Sequence, residues 1–277
     1  MSAPTRAAVP VNTNWVQPPA HRVTAPPSQV DSYLGVINAL MLRDMRSRFS
    51  ASYWGYLVQM LWPVAHVLVI VSIMAFRDME SPMGDSPLLF VASGAFPFLA
   101  FKYISREMMK GYNAHKALLW FPQVKRVDTM VARGAVEICS SFMGLGVVSF
   151  VLICLGVDPV PVDIMTAMTG YLTAILMGLA IGSFNVSLVA IFPFWMLMYI
   201  VIAIALYMTS GVQFMGCYLP ERLYAIMKWN PLVHIVEWVR LGYEPNLPVT
   251  IDYVYIYCWI FSAFTVGFLM DRYIVNR

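Results

Sequence analysis

"KWNPLVHIVEWVRLGYEPNLP" (residues 228–248) decides how often this chain crosses a membrane. The stretch is apolar enough to enter a bilayer, yet it carries His234, Glu237 and Arg240, and prolines bracket it at 231 and 245. Leu232 to Tyr243 is 12 residues. At 1.5 Å per residue that is about 18 Å, little more than half of a roughly 30 Å hydrocarbon core. Asn230-Pro231 suits a turn between two helices, because proline disfavours helix in the residue before it and is well placed at the first helical position. Leu232, Val233, Ile235, Val236, Val239 and Leu241 make a broad apolar surface. His234, Glu237 and Arg240 fall on one narrow stripe, three residues apart, where neighbours can pair. A half-helix of this kind is expected to turn its stripe toward water at a channel exit and its apolar face toward the last two spans, since unpaired charge in lipid is expensive.

The composition agrees with a membrane setting. Of 277 residues 60% are hydrophobic and 12% charged, against about 25% charged in soluble domains. Mean hydropathy is +0.67. The fold class read from this is an all-α polytopic membrane protein. The four cysteines lack metal or redox spacing and read as small hydrophobes.

Six spans are expected, at 56–76, 88–104, 135–157, 164–191, 195–213 and 253–270. No charged residue occurs between Ile164 and Pro220, and "IFPFW" (191–195) is the natural turn within that run. Fourteen of the 18 Lys and Arg residues lie in the N-terminal segment, in 102–133 and at the C-terminus, whereas the other loops are acidic. With six spans every basic segment is cytoplasmic, both termini included. Counting 229–243 as a seventh span would break that pattern. Residues 231–243 therefore read as part of a re-entrant helical hairpin, 219–246, on the outer side before the last span.

Residues 1–29 are proline-rich without an apolar core and read as a disordered cytoplasmic tail. Residues 30–52 read as an amphipathic helix lying in the interface, with Arg43, Arg46 and Arg48 near its end. The domain that follows, 53–277, holds the spans. Between the second and third lies a basic, apolar segment, 112–130, containing "HKALLWFPQVKRVD". Two readings stand: a short helix that docks on a partner ATPase, or an interfacial loop anchored by Trp120. Gly170, Ala174, Gly178 and Gly182 recur every fourth residue and suit close helix packing, within the chain or against a second copy. Gln59, His66, Lys102, Asn185 and Gln213 are the intramembrane polar groups. His66, three residues after Pro63, is expected to bond a carbonyl that the proline frees. His234 and Glu237 have the i, i+3 spacing of a metal pair, but one such pair alone is weak. No GxxxxGK[ST] phosphate loop occurs, so ATP hydrolysis by that route is absent from this chain.

Together "ALMLRDMRSRFSASYWGYL", "WPVAH", "FPQVKRVDTMVAR" and "LPERL…WNPLVHIVEWVR" resemble the membrane subunit of type 2 ABC exporters (the ABC-2 type). Within those the chain is most similar to the capsular polysaccharide export permeases of Gram-negative bacteria, from about Ala39 to Asp271. The resemblance implies two such chains side by side in the bacterial inner membrane, each docked on a cytoplasmic ABC ATPase that binds ATP and Mg, with no cofactor on this chain. It implies export of a glycolipid-capped polysaccharide to the periplasm. A periplasmic adaptor (co-polymerase) and an outer-membrane polysaccharide export channel would complete the route. No nucleic acid is implied. Residue by residue, Ala117, Leu118, Leu119, Trp120, Phe121, Pro122, Val124, Lys125, Arg126 and Asp128 match the coupling helix and its exit. Arg43, Arg46 and Arg48 match the end of the gate helix at the lipid and polymer entrance. Asn230, Pro231, His234, Glu237 and Arg240 fall in the periplasmic gate.

A sugar polymer slides best along aromatic faces that bind weakly. Tyr53, Trp54, Trp62, His66, Tyr207, Phe214, Tyr218, Trp229 and Trp238 are accordingly channel candidates, although Trp and Tyr also belt the interface of any membrane protein. Export of O-antigen or teichoic acid is the neighbouring alternative. A membrane-bound acyl or glycosyl transferase is the alternative of another class, and it would need a polar constellation that the sequence lacks.

Overall fold

The computed structural model describes residues 28–49, 65–73, 76, 81–84, 86–115, 118, 120 and 124–275. Residues 1–27 of the expected tail, Tyr53, Trp54, Gln59, Trp62, most of the first span, Ala117, Leu119, Phe121 and Pro122 lie outside the described residues, as does the side chain of Arg48. Regular structure among the described residues is entirely helical. The helices are α1 (Gln29–Phe49), α2 (65–73), α3 (Pro87–His115), α4 (Arg126–Cys154), α5 (Ile164–Ile191), α6 (Trp195–Thr209), α7 (Glu221–Met227), α8 (Pro231–Tyr243) and α9 (Tyr253–Met270), the last extended by a π turn, Asp271–Val275. Among the described residues, four stretches are long and apolar enough to cross a membrane: Pro87–Tyr112, Arg126–Cys154, Ile164–Ile191 and Tyr253–Ile274.

Local chemistry sets the starts. Asp163 accepts Thr166 N at 3.1 Å ahead of α5, and Asp252 accepts Tyr255 N at 2.9 Å ahead of α9. The Asp128 carboxylate accepts Lys125 N at 2.8 Å and closes the first turn of α4. Asn230 caps α8 by accepting Leu232 N at 3.0 Å, with Pro231 in the first turn. The end of α4 is also legible in chemistry. Gly156 takes φ +79°, and Val157 N returns to Leu152 O at 2.9 Å, which stops the helix in a glycine-dependent cap.

α5 is the central post, and its small-residue stripe is used within this chain. A Cβ at Gly178 would stand 3.1 Å from Ile104 Cβ of α3, and one at Gly182 would stand 3.3 Å from the Ser105 backbone. At the other end of the stripe, a Cβ at Gly170 would stand 3.0 Å from the Val239 backbone of α8. Farther along α9, Gly267 comes against Phe184 of α5, and Ser187 Oγ donates to Gly267 O at 2.8 Å. α8 therefore packs on α5 and α3, chiefly, rather than on the last two spans as its apolar face suggested. On α5, Gly170 and Ala167 are small enough to admit the α8 backbone at Val239 and Gly242. The outward faces of α4, α6 and α9 carry exposed apolar side chains such as Phe150, Val201 and Phe261, as helices in contact with lipid or a second chain require.

Three expected boundaries move. α3 runs on to His115 and α4 already begins at Arg126, so both ends of 112–130 are helix continuous with the long spans. α6 stops at Thr209 rather than 213, because Ser210-Gly211 turns the chain with Gly211 at φ +79°. At 15 residues, α6 is about 22 Å long.

Candidate functional site

Three groups of residues stand out, one at each end of the bundle and one between. The first belongs to the stretch that opened the sequence. α7 and α8 form the expected helix–turn–helix, joined at Asn230-Pro231. Asn230 also donates to Thr209 Oγ1 at 2.9 Å and Leu206 O at 3.2 Å, which ties the turn to the end of α6.

The polar stripe of α8 is buried, not open to water: His234, Glu237 and Arg240 are 6%, 2% and 0% exposed. Nor do the three form a ladder of ion pairs. His234 Nε2 bonds Lys228 O at 3.0 Å. Glu237 sits against Gly216 and 3.5 Å from the Tyr224 hydroxyl. Arg240 Nη1 donates to Gly211 O at 2.7 Å and Phe214 O at 3.0 Å, and Nη2 to Val212 O at 2.9 Å. The guanidinium also lies 4.2 Å from the Phe90 ring centre. The physical reason is the break in α6. Residues 210–215 have no helical ladder, and Ser210, Gly211, Val212 and Met215 are buried. Their carbonyls cannot reach water, and a buried carbonyl without a donor is costly. Arg240 supplies the donors.

The opposite end holds a charge network that sequence reasoning missed. Arg133 of α4 pairs with Asp44 of α1 through Nη1 and with Glu107 of α3 through Nη2 at 2.9 Å, and its Nε lies 3.9 Å from Glu137. Arg133 and Asp44 are buried, at 5% and 0% exposure. Around this hub Ile37, Leu40 and Ala132 form a small core that also takes Leu118 and Val124. The expected gate helix is therefore clamped to α4 and to the link beneath it. The available signal was acidic residues where the pattern does not call for them: Asp44 and Glu107 in otherwise basic segments, and Glu137 in the expected third span.

Among the other coupling candidates, Trp120 is 88% exposed, Arg126 pairs with Asp271 at 2.6 Å, and Lys125 and Asp128 shape the start of α4. Arg43 and Arg46 are exposed, as an interfacial role requires.

Between the two ends lie the aromatic candidates. His66 Nε2 is hydrogen-bonded to the Tyr207 hydroxyl at 2.8 Å, and Pro63 with the carbonyl it frees lies outside the described residues. Tyr207 packs edge-on to Phe98 at 4.9 Å between ring centres. One level along, Tyr199 and Ser105 hydroxyls meet at 2.6 Å, and Trp195 Nε1 donates to Asn185 Oδ1 at 2.9 Å. Phe214 is half-buried and offers its carbonyl to Arg240. Tyr218 and Trp229 are exposed at the α7 end, and Trp238 packs on Tyr253 at 4.6 Å. The structure thus brings His66 and Tyr207 together and leaves Tyr218, Trp229 and Trp238 apart from them.

No protein-family model matches the chain. Among curated proteins, the chain is 26% identical over 213 residues to the polysialic acid transport protein KpsM of Escherichia coli, covering 76% of this chain and 81% of that one. It is 26% identical to the capsule polysaccharide export inner-membrane protein CtrC of Neisseria meningitidis serogroup A, over 75% of this chain and 78% of the relative. To the capsule polysaccharide export inner-membrane protein BexB of Haemophilus influenzae it is 23% identical, over 78% and 82%. A chain whose described residues form regular structure that is entirely helical, with four span-length apolar helices among them, and that is similar over three quarters of its length to these proteins, is a multi-pass inner-membrane relative of the capsule polysaccharide export permeases.

Proposed function

We propose that this chain is the permease subunit of an ATP-driven exporter that moves a lipid-linked capsular polysaccharide across the inner membrane. One observation carries the reading: similarity over 75–78% of the chain to inner-membrane proteins of capsule export in three bacterial genera. The chain is a transporter subunit, not an enzyme. Two copies assemble with two copies of a cytoplasmic ATPase that supplies ATP and Mg, and a periplasmic adaptor and outer-membrane channel continue the route. Six spans place both termini in the cytoplasm.

In this reading α1 is the gate helix at the cytoplasmic face and the 116–125 link reaches the ATPase. The exposed Trp120 supports that placement. The Arg133 hub would carry movement of the link directly into α1, because Asp44, Glu107 and Arg133 belong to three different helices. The α7–α8 hairpin re-enters from outside, and its buried stripe makes α8 a rigid lid over the polymer path whose hinge is the α6 break.

The test is genetic and biochemical. Deleting the gene should leave capsular polymer inside the cell, and restoring the chain should return it to the surface. The purified chain should bring a nucleotide-binding subunit with it. Normal surface capsule without the chain would overturn the reading.

A further inference from the structure

We propose that Arg126 and Asp271 are positioning residues of the transport cycle: their pair makes α9 a strut that carries movement of the 116–125 link to the turn of the α7–α8 hairpin. This rests on the exporter reading.

The two charges do not serve their own helices. Arg126 is the first residue of α4, and Asp271 follows the last residue of α9. A cation at a helix N-terminus and an anion at a C-terminus both oppose the helix dipole. Each is satisfied by the other instead, Arg126 Nη1 donating to Asp271 Oδ1 at 2.6 Å. The pair is well shielded, at 13% and 8% side-chain exposure, yet the tie is thin. Arg126 Nε is buried without a partner among the described residues, and the guanidinium otherwise meets the Tyr112 ring at 5.5 Å. One short bond between two misplaced charges, where the link enters α4, suits a joint that moves.

α9 has the form of a rod. Between Asp252 and Asp271 it has no charged residue and no proline, and proline is a chief cause of sharp kinks. Its buried residues, Ile256, Ile260, Ala263 and Gly267, form one narrow stripe, which meets α5 at Phe184 and Ser187. A straight rod held along one seam can slide as a body, as packed helices do in shear motions. From Tyr255 to Asp271 is 16 residues, about 24 Å, most of a roughly 30 Å core.

The far end of the rod grips the hairpin. The Tyr255 hydroxyl donates to Trp229 O at 2.6 Å, the carbonyl just before the Asn230 turn. Tyr253 packs on Trp238 at 4.6 Å, and the Tyr255 ring lies edge-on to His234 at 5.8 Å. The Asn230 side chain holds the same turn to the end of α6. The turn is therefore tied both to a rod that reaches the link and to the helix break that serves as its hinge. A shift of α9 pulls the one against the other.

The complex of the chain with its ATPase, in nanodiscs, should carry a nitrobenzoxadiazole label at Lys228→Cys on a cysteine-free background. Label emission should change when ATP, Mg and vanadate are added. Arg126→Gln with Asp271→Asn should reduce that change about fivefold or more, the low end of ordinary coupling between sites. Tyr255→Phe should do the same from the other end, while Tyr257→Phe, exposed on the same helix, should change nothing. The exchanged pair, Arg126→Asp with Asp271→Arg, suits both helix dipoles and should restore most of the response. Asp271→Asn alone should keep the ATPase bound.

Thermal unfolding separates coupling from architecture. Removing two misplaced charges should leave the unfolding temperature of the neutral double variant within about 2 °C of the wild type, whereas a purely structural pair would lower it and leave the response intact. An unchanged response in the neutral double variant, no recovery in the exchanged pair, or loss of the ATPase from Asp271→Asn would overturn the strut. If the exchanged pair fails to fold, Asp271→Asn and Tyr255→Phe decide. Hydrogen exchange on the chain alone keeps the two readings apart, because breaking the pair should speed exchange at the Lys228, Trp229 and Asn230 amides. Restored capsule export with hairpin exchange and label response indifferent to the pair would sink the strut and spare the exporter. Faster hairpin exchange in a chain that restores no export and recovers no ATPase would do the reverse.

Discussion

Replacing Arg240 by Met should release the broken end of α6. The side chain loses three short bonds, to Gly211, Val212 and Phe214, at 2.7, 2.9 and 3.0 Å, together with a longer one to Phe90 O at 3.4 Å and its contact on the Phe90 ring. Hydrogen bonds inside membrane proteins average about 0.6 kcal/mol, which sets a floor near 2 kcal/mol for three. Removing the charged partner from a buried site and stranding its acceptors costs about 3–5 kcal/mol, less whatever desolvation the guanidinium no longer suffers. Against a total stability of about 5–15 kcal/mol, and at about 2–4 °C per kcal/mol, the purified variant should unfold roughly 5–15 °C lower. Trypsin should cut faster at Arg222 and Lys228, in the hairpin that follows the segment Arg240 holds. A second route reaches the same contact. A Cβ at Gly94 would stand 2.6 Å from Arg240 Nη2, so Gly94→Ala should also destabilise, and most of that penalty should vanish in the Arg240→Met background. A variant that melts with the wild type, or fully additive effects of the two substitutions, would refute the role given to Arg240.

On a cysteine-free background, single cysteines at Ser2, Lys116 and Asn276 should react only from the cytoplasm, and at Asp85 and Asn246 only from outside; external labelling at 276 would end the six-span topology. Asp at Leu119, Trp120 and Phe121 should leave the chain in the membrane but reduce recovery of the ATPase a hundredfold or so, since charge against an apolar groove costs several kcal/mol; unchanged co-purification would exclude the link as the docking element. Arg133→Met should loosen α1, read as faster tryptic cleavage at Arg43 and Arg46, with Lys at 133 recovering part of the protection; equal cleavage rates would show that the hub does not hold α1. Cysteines at Asn230 and Thr209, whose side chains touch, should cross-link and abolish export if the hairpin is a gate, while normal export through a verified cross-link would make it a fixed plug.

Where the sequence was legible, the signal was local. Pro193 and Pro231 mark turns that the structure places at 192–194 and at Asn230. The length and brackets of "PLVHIVEWVR" specify a short helix, and α8 has 13 residues. The small residues of α5 announced close packing, although two partners were possible and only the folded chain, with α3 and α8 in the groove, separates them. What escaped was long-range. The acceptors of Arg240 include residues 26 to 29 positions earlier, and Asp44 lies 89 positions before Arg133. A charge on an apolar helix advertises that it needs a partner, but nothing in the spacing says whether water, lipid or a distant carbonyl will serve. The early end of α6 had a signal, Ser210-Gly211, that the absence of charge over the same run obscured.

The glycine groove of α5 also has a schedule. Its lower half is filled by α3, made earlier, but the half that receives Val239 of α8 stays vacant until about 50 more residues have followed α5 off the ribosome. At about 5–20 residues per second that is a wait of several seconds, during which the carbonyls of 211–214 have no guanidinium and the groove has only lipid against it. Newly made chains must therefore pass through a stage in which the last quarter of the protein is already a ligand for the first three. A truncation before residue 240 should expose that stage as a substrate for membrane proteases.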